Sequence, residues 1–132
     1  MLFPRDWVST NFSSAPHRLA TVRQLAKETE TSLSASVVRL NEVAQWNLSL
    51  LRFRLIDTRW RLDAPAAVPF DIHGLIRTTD ATTSVLSDVG ARTRADVVAG
   101  LPIRIVGRET TIASELSVSA SVAMALLPPC RM

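Results

Sequence analysis

Near Leu48 the hydrophobic period of this chain changes, and that change constrains the fold more than any other feature. Upstream, Leu19, Val22, Leu25 and Ala26 share one helical face, and Leu33, Val37, Leu40 and Ala44 share another. Apolar residues recurring every three or four positions mark amphipathic helices. Downstream, Leu51, Phe53 and Leu55 alternate with Arg52 and Arg54, the two-residue repeat of a half-buried strand. Helices first and strands after point to an α+β fold, an N-terminal helix-turn-helix-like pair followed by a small, mostly antiparallel sheet.

The connection Thr29-Glu30-Thr31-Ser32 is short and polar. Thr31 or Ser32 is placed to cap the second helix by accepting a hydrogen bond from an orphan backbone N–H. Pro16 suits the first turn of the first helix, where a missing N–H costs nothing. Ala26 is small enough for two crossing helices to approach there. In the second half, residues 48–62 read as one kinked strand or a tight hairpin around Asp57-Thr58, and Pro65 and Pro69 force an irregular crossing. Residues 75–78 form a possible strand. The Thr- and Asp-rich segment ending at Gly90 has no assignable pattern. Residues 101–106 and 110–118 flank a turn at Gly107-Arg108, and 121–127 are a further strand. A chain of 132 residues with 47% hydrophobic content buries one ordinary core. The expected organisation is a helical unit at 1–47 and a β-rich unit at 48–132, packed as one compact domain.

Several function classes find no support. The uncharged run 116–130 carries three serines and two prolines and is shorter than the roughly 18–20 residues a bilayer span needs. It reads as a buried strand, with no membrane partner. No basic stretch followed by an apolar run opens the sequence, so a cytoplasmic location is expected. The single Cys130 has no partner for an internal disulfide. His17 and His73 stand far apart, without the H-E-x-x-H spacing that puts two imidazoles on one zinc ion. No G-x-S-x-G elbow occurs, and the four glycines at 74, 90, 100 and 107 lack phosphate-loop spacing. No catalytic, metal or cofactor residue is assigned, and no cofactor is expected.

Contact residues are better defined. In a DNA-reading helix pair the second helix presents its early, outward side chains to base edges. Here those are Ser34, Ser36 and Arg39 beside Ala35, with Asn41 and Gln45 further along. The net charge of +3 comes from 14 Arg and one Lys against 12 acids, yet Arg23, Lys27 and Arg39 in the pair are matched by Glu28, Glu30 and Glu42. DNA affinity rests largely on neutralising phosphates, so a balanced pair is a poor binder by itself. The basic cluster is Arg52, Arg54, Arg59 and Arg61. It is either a solvated sheet face or a docking surface for phosphate or an acidic partner.

These residues resemble the region that follows the catalytic core in the ImmA/IrrE family of metallopeptidases. Met1-Leu2-Phe3-Pro4 resembles the L-L-M-P element that ends the family's third core helix, and Ser32 to Leu40 carries its S-L-x-A-x-x-x-R-L pattern. Less specifically, Arg59-Trp60, Ala67-Val68-Pro69, Leu101-Pro102 and Glu115-Leu116-Ser117-Val118 look like the C-terminal sheet region of many members. The resemblance implies a cytoplasmic bacterial or phage protein tied to repressor cleavage, transcription regulation and stress response. The family's zinc helix and third metal ligand lie upstream of the L-L-M-P element, so none of its catalytic residues carries over. The expected function is therefore a non-catalytic regulatory or protein-interaction module, its partner a peptidase core, a repressor or a second copy. The alternative is a small helix-turn-helix DNA-binding regulator.

Overall fold

Three helices, a six-stranded sheet and a fourth helix make up the fold in a computed structural model that describes residues 5–63, 76–92 and 96–127. In chain order the helices are α1 (Arg5–Phe12), α2 (Leu19–Thr29), α3 (Leu33–Val43) and α4 (Asp80–Arg92). The strands are β1 (Ser49–Ile56), β2 (Arg59–Leu62), β3 (Ile76–Thr78), β4 (Asp96–Ile105), β5 (Arg108–Val118) and β6 (Val122–Leu127). The architecture is α+β, with α4, among the described residues, the one helix set between strands.

The helical period of the sequence becomes α2 and α3. Leu19, Val22 and Leu25 of α2 and Val37 and Leu40 of α3 are buried together. Ser32 caps α3, its hydroxyl accepting from the Ala35 N–H at 3.1 Å, as its position in the connection implies. The turn before it depends on Glu30, held in the left-handed region at φ 55°. The N–H of Thr31 then reaches back to the Ala26 carbonyl at 3.0 Å and closes the end of α2. Pro16 is not in a helical turn: α2 begins at Leu19 with Arg18 as its cap residue. Helix α1 is not foreshadowed in the pattern. Val8 and Phe12 are its buried positions, and two apolar residues one turn apart define no period.

The sheet is antiparallel throughout, in the order β2-β1-β6-β5-β4-β3. Asp57-Thr58 is the two-residue turn of the β1–β2 hairpin, with Ile56 paired to Arg59. The β4–β5 turn falls on Val106-Gly107, since Ile105 pairs with Arg108, one residue earlier than the Gly107-Arg108 the sequence pointed to. The uncharged run is not a single strand. It bends at Ser119–Ser121 between β5 and β6, where the Ser119 N–H bonds the Val122 carbonyl at 2.9 Å.

Both faces of the sheet are covered, which explains why Ser49, Leu50 and Leu51 are all buried while the strand alternates further on. On one face Leu51, Phe53, Trp60, Ile103, Leu116, Val118 and Ala125 pack with Leu86 and Val89 of α4. The sheet curls around this core until its edge strands β2 and β3 touch, with α4 lying against β2, β4 and β5. On the other face Leu48, Leu50 and Leu126 pack with Val8, Phe12, Leu19, Val37, Leu40 and Trp46 of the helical unit. Gly90 of α4 lies where a Cβ would stand 3.1 Å from the Val118 methyl, so the close approach of helix and strand favours glycine there. Pro65, Pro69, His73 and Cys130 lie outside the described residues.

Candidate functional site

Helix α3 sorts its polar residues inward and outward. Ser36 is buried, its hydroxyl bonding the Ser32 carbonyl at 2.9 Å and the Thr31 hydroxyl at 3.1 Å. Asn41 bridges the α3–β1 connection, donating to the Leu48 carbonyl at 2.9 Å and accepting from the Leu48 N–H at 3.0 Å. Both side chains are committed to holding the fold. Ser34 and Arg39 are half-buried, and Gln45 is exposed beyond the helix end at φ 56°. The outward face is left to Ala35, Val38 and Glu42. Val38, 43% exposed, is among the most exposed large apolar residues described. Val8, Leu25, Ala35, Val38 and Arg39 border a shallow crevice of about 100 Å³ beside it.

The arginine cluster is assembled by strand register. Arg54 lies opposite Arg61 and Ile56 opposite Arg59, so Arg52, Arg54, Arg59 and Arg61 share one face of the β1–β2 hairpin, away from Phe53 and Trp60. Asp63 serves two of them. Its Oδ2 is 2.8 Å from Arg52 and 3.4 Å from Arg54. Arg59 stands 3.7 Å from Asp80 at the start of α4. Among the described residues Arg61 has no ion-pair partner.

Curling of the sheet adds residues that the sequence does not connect. Arg59 and Arg61 of β2 line a groove of about 350 Å³ with Thr78, Asp80, Arg104 and Glu109. Arg104 pairs with Glu109 at 3.3 Å across the β4–β5 hairpin. No local spacing links position 104 to position 59. Only the approach of β3 to β2 brings them together.

His17 is stacked on Trp46 with ring centroids 4.3 Å apart, and the Trp46 indole N–H bonds the Phe12 carbonyl at 3.1 Å. His17 thus sits exposed in the α1–α2 connection, against the Trp46 ring. Among the described residues no cluster of His, Cys, Asp and Glu is arranged to hold a metal ion, and no helix is long and apolar enough to cross a membrane. Comparison with protein-family models and with curated proteins returns no match.

Proposed function

We propose that this chain is a non-catalytic regulatory module that works by binding another protein through the outward face of α3. The observation that carries the reading is the composition of that face. Ala35, Val38 and Glu42 present a small apolar patch edged by a carboxylate, while Ser36 and Asn41 are spent on internal hydrogen bonds. A DNA-reading helix needs cations toward phosphate and free amides or hydroxyls toward base edges. A depleted charge count with a central apolar residue suits a protein interface instead. The resemblance of Ser32 to Leu40 to the ImmA/IrrE region supports a regulatory setting, with a peptidase core, a repressor or a second copy as partner.

The alternative, a small DNA-binding regulator, retains the helix-turn-helix-like order of α2 and α3 and the exposed Gln45. Its phosphate contacts would come from Arg39, beside Glu42, and from the Arg52, Arg54, Arg59 and Arg61 cluster.

A photo-crosslinking amino acid at position 38 tests the reading in source cells, with position 27 on α2 as the control site. A discrete protein adduct that appears only at 38 and is abolished by Ala35→Glu supports it. Adducts confined to nucleic acid, or the same adducts from both positions, contradict it. Tight stoichiometric zinc uptake in calorimetry would sink the non-catalytic half of the proposal.

A further inference from the structure

We propose that the groove between β2, the start of α4 and the β4–β5 hairpin binds a phosphate monoester. Three arginines, Arg59, Arg61 and Arg104, line one cavity of about 350 Å³. The planar fork of arginine matches the oxygens of phosphate, donating two parallel hydrogen bonds to one group.

Among the described residues, the ion pairs that hold these arginines are exposed ones. The Asp80 side chain is 95% exposed and 3.7 Å from Arg59, and that of Glu109 is 68% exposed and 3.3 Å from Arg104. Exposed pairs of this kind contribute little and are readily exchanged. Arg61 has no ion-pair partner among the described residues. An entering dianion therefore displaces two solvated carboxylates and leaves every buried hydrogen bond intact.

The surroundings favour a double negative charge. Arg52, Arg54, Arg59 and Arg61 share the hairpin face, and Arg77 is paired in register with Arg104 on the neighbouring strands. Against these six stand Asp57 in the hairpin turn, Asp63, Asp80 and Glu109. An excess of like charges around a cleft raises the local concentration of anions, and a dianion gains about twice what a phosphodiester gains from the same field. The cavity lies at the small end of the roughly 300–1,000 Å³ typical of ligand sites. It has room for a phosphate and a small group bearing it, and none for a duplex. The end of α4 is not needed, because the Thr79 hydroxyl already accepts from the Thr82 N–H at 3.0 Å.

The phosphate could be carried by a free small molecule or by a phosphorylated side chain, and the chemistry is the same. This site stands apart from the α3 face, so either can fail alone. The test is amide chemical-shift titration of the whole chain with ribose 5-phosphate and with N- and C-blocked phosphoserine, at ionic strength matched with chloride. Saturable shifts in the millimolar range or tighter are expected at residues 59–61, 78–83 and 104. Arg61→Gln and Arg104→Gln should each weaken binding about tenfold, with Arg5→Gln on α1 unchanged and circular dichroism confirming that all three fold. Tighter binding of one probe assigns the source. Shifts that do not saturate, that fall elsewhere, or that persist undiminished in both groove variants overturn the proposal. So does equal response to chloride.

Discussion

Glu115 accepts the backbone N–H of Leu19 at 2.7 Å, so the first turn of α2 is capped by a carboxylate that arrives on β5 from 96 residues away. The same carboxylate takes the Arg18 guanidinium at 2.9 Å. An orphan donor of the helix and a strand residue thereby satisfy each other, fixing the helical unit to the sheet.

The two contacts are unequal. The Arg18 side chain is 61% exposed and that of Glu115 10%. Glu115→Ala removes a buried charged acceptor and is expected to cost about 1.5–3 kcal/mol. Arg18→Ala removes only a solvated pair, for less than about 1 kcal/mol. Urea unfolding of both variants checks the order, and equal losses would contradict it.

Asn41 is expected to behave as a structural residue. Its amide satisfies both backbone groups of Leu48, so Asn41→Ala should lower stability by about 1–3 kcal/mol. Asn41→Asp keeps the acceptor but loses the donor to the Leu48 carbonyl and should fall between. An Asn41→Ala variant as stable as the unmodified chain would contradict that structural role.

Both tight turns carry residues ill suited to their backbone. Thr58 sits at φ 66° and Val106 at φ 51°, the left-handed region that disfavours β-branched side chains. Thr58→Gly creates an Asp-Gly turn and Val106→Asn an Asn-Gly turn, the favoured pairs for two-residue hairpins. Each is expected to raise stability by about 1 kcal/mol. The check is a shift of the thermal midpoint upward, and a downward shift contradicts the turn assignment.

How far the fold is legible in the sequence follows from which signals are local. The helix pair, the Ser32 cap and the strands of the β-rich half show in residue spacing, because alternation and helical period are properties of neighbours. Helix α4 does not. Thr82, Leu86 and Val89 do fall on one helical face and are buried, but threonines and a glycine weaken the propensity and blur the period. The groove is less legible still. Arg59 and Arg61 stand close in the sequence, whereas Arg104 joins them only through the curl of the sheet. Ser36 and Asn41 look like contact residues in sequence because the internal hydrogen bonds of their side chains, to Ser32 and to Leu48, leave no mark on spacing.

The helical unit and the sheet share the core in which Leu50 and Leu126 meet Leu40 and Trp46. Leu50→Ala should therefore cost about 2–5 kcal/mol and lower a single transition. Tryptophan fluorescence and far-ultraviolet circular dichroism are expected to melt together. Two separated transitions would mean that helices and sheet unfold independently.

The most direct test of the α3 reading is a fluorescence-anisotropy titration of labelled duplex DNA at low salt, with wild-type chain, Arg39→Ala and Arg61→Gln side by side. A protein-binding α3 predicts that Arg39→Ala leaves any DNA affinity unchanged, with residual low-salt binding weakened to the same extent on all sequences in Arg61→Gln. A loss of about tenfold or more on Arg39→Ala, confined to particular sequences, would contradict the account and establish α3 as a DNA reader.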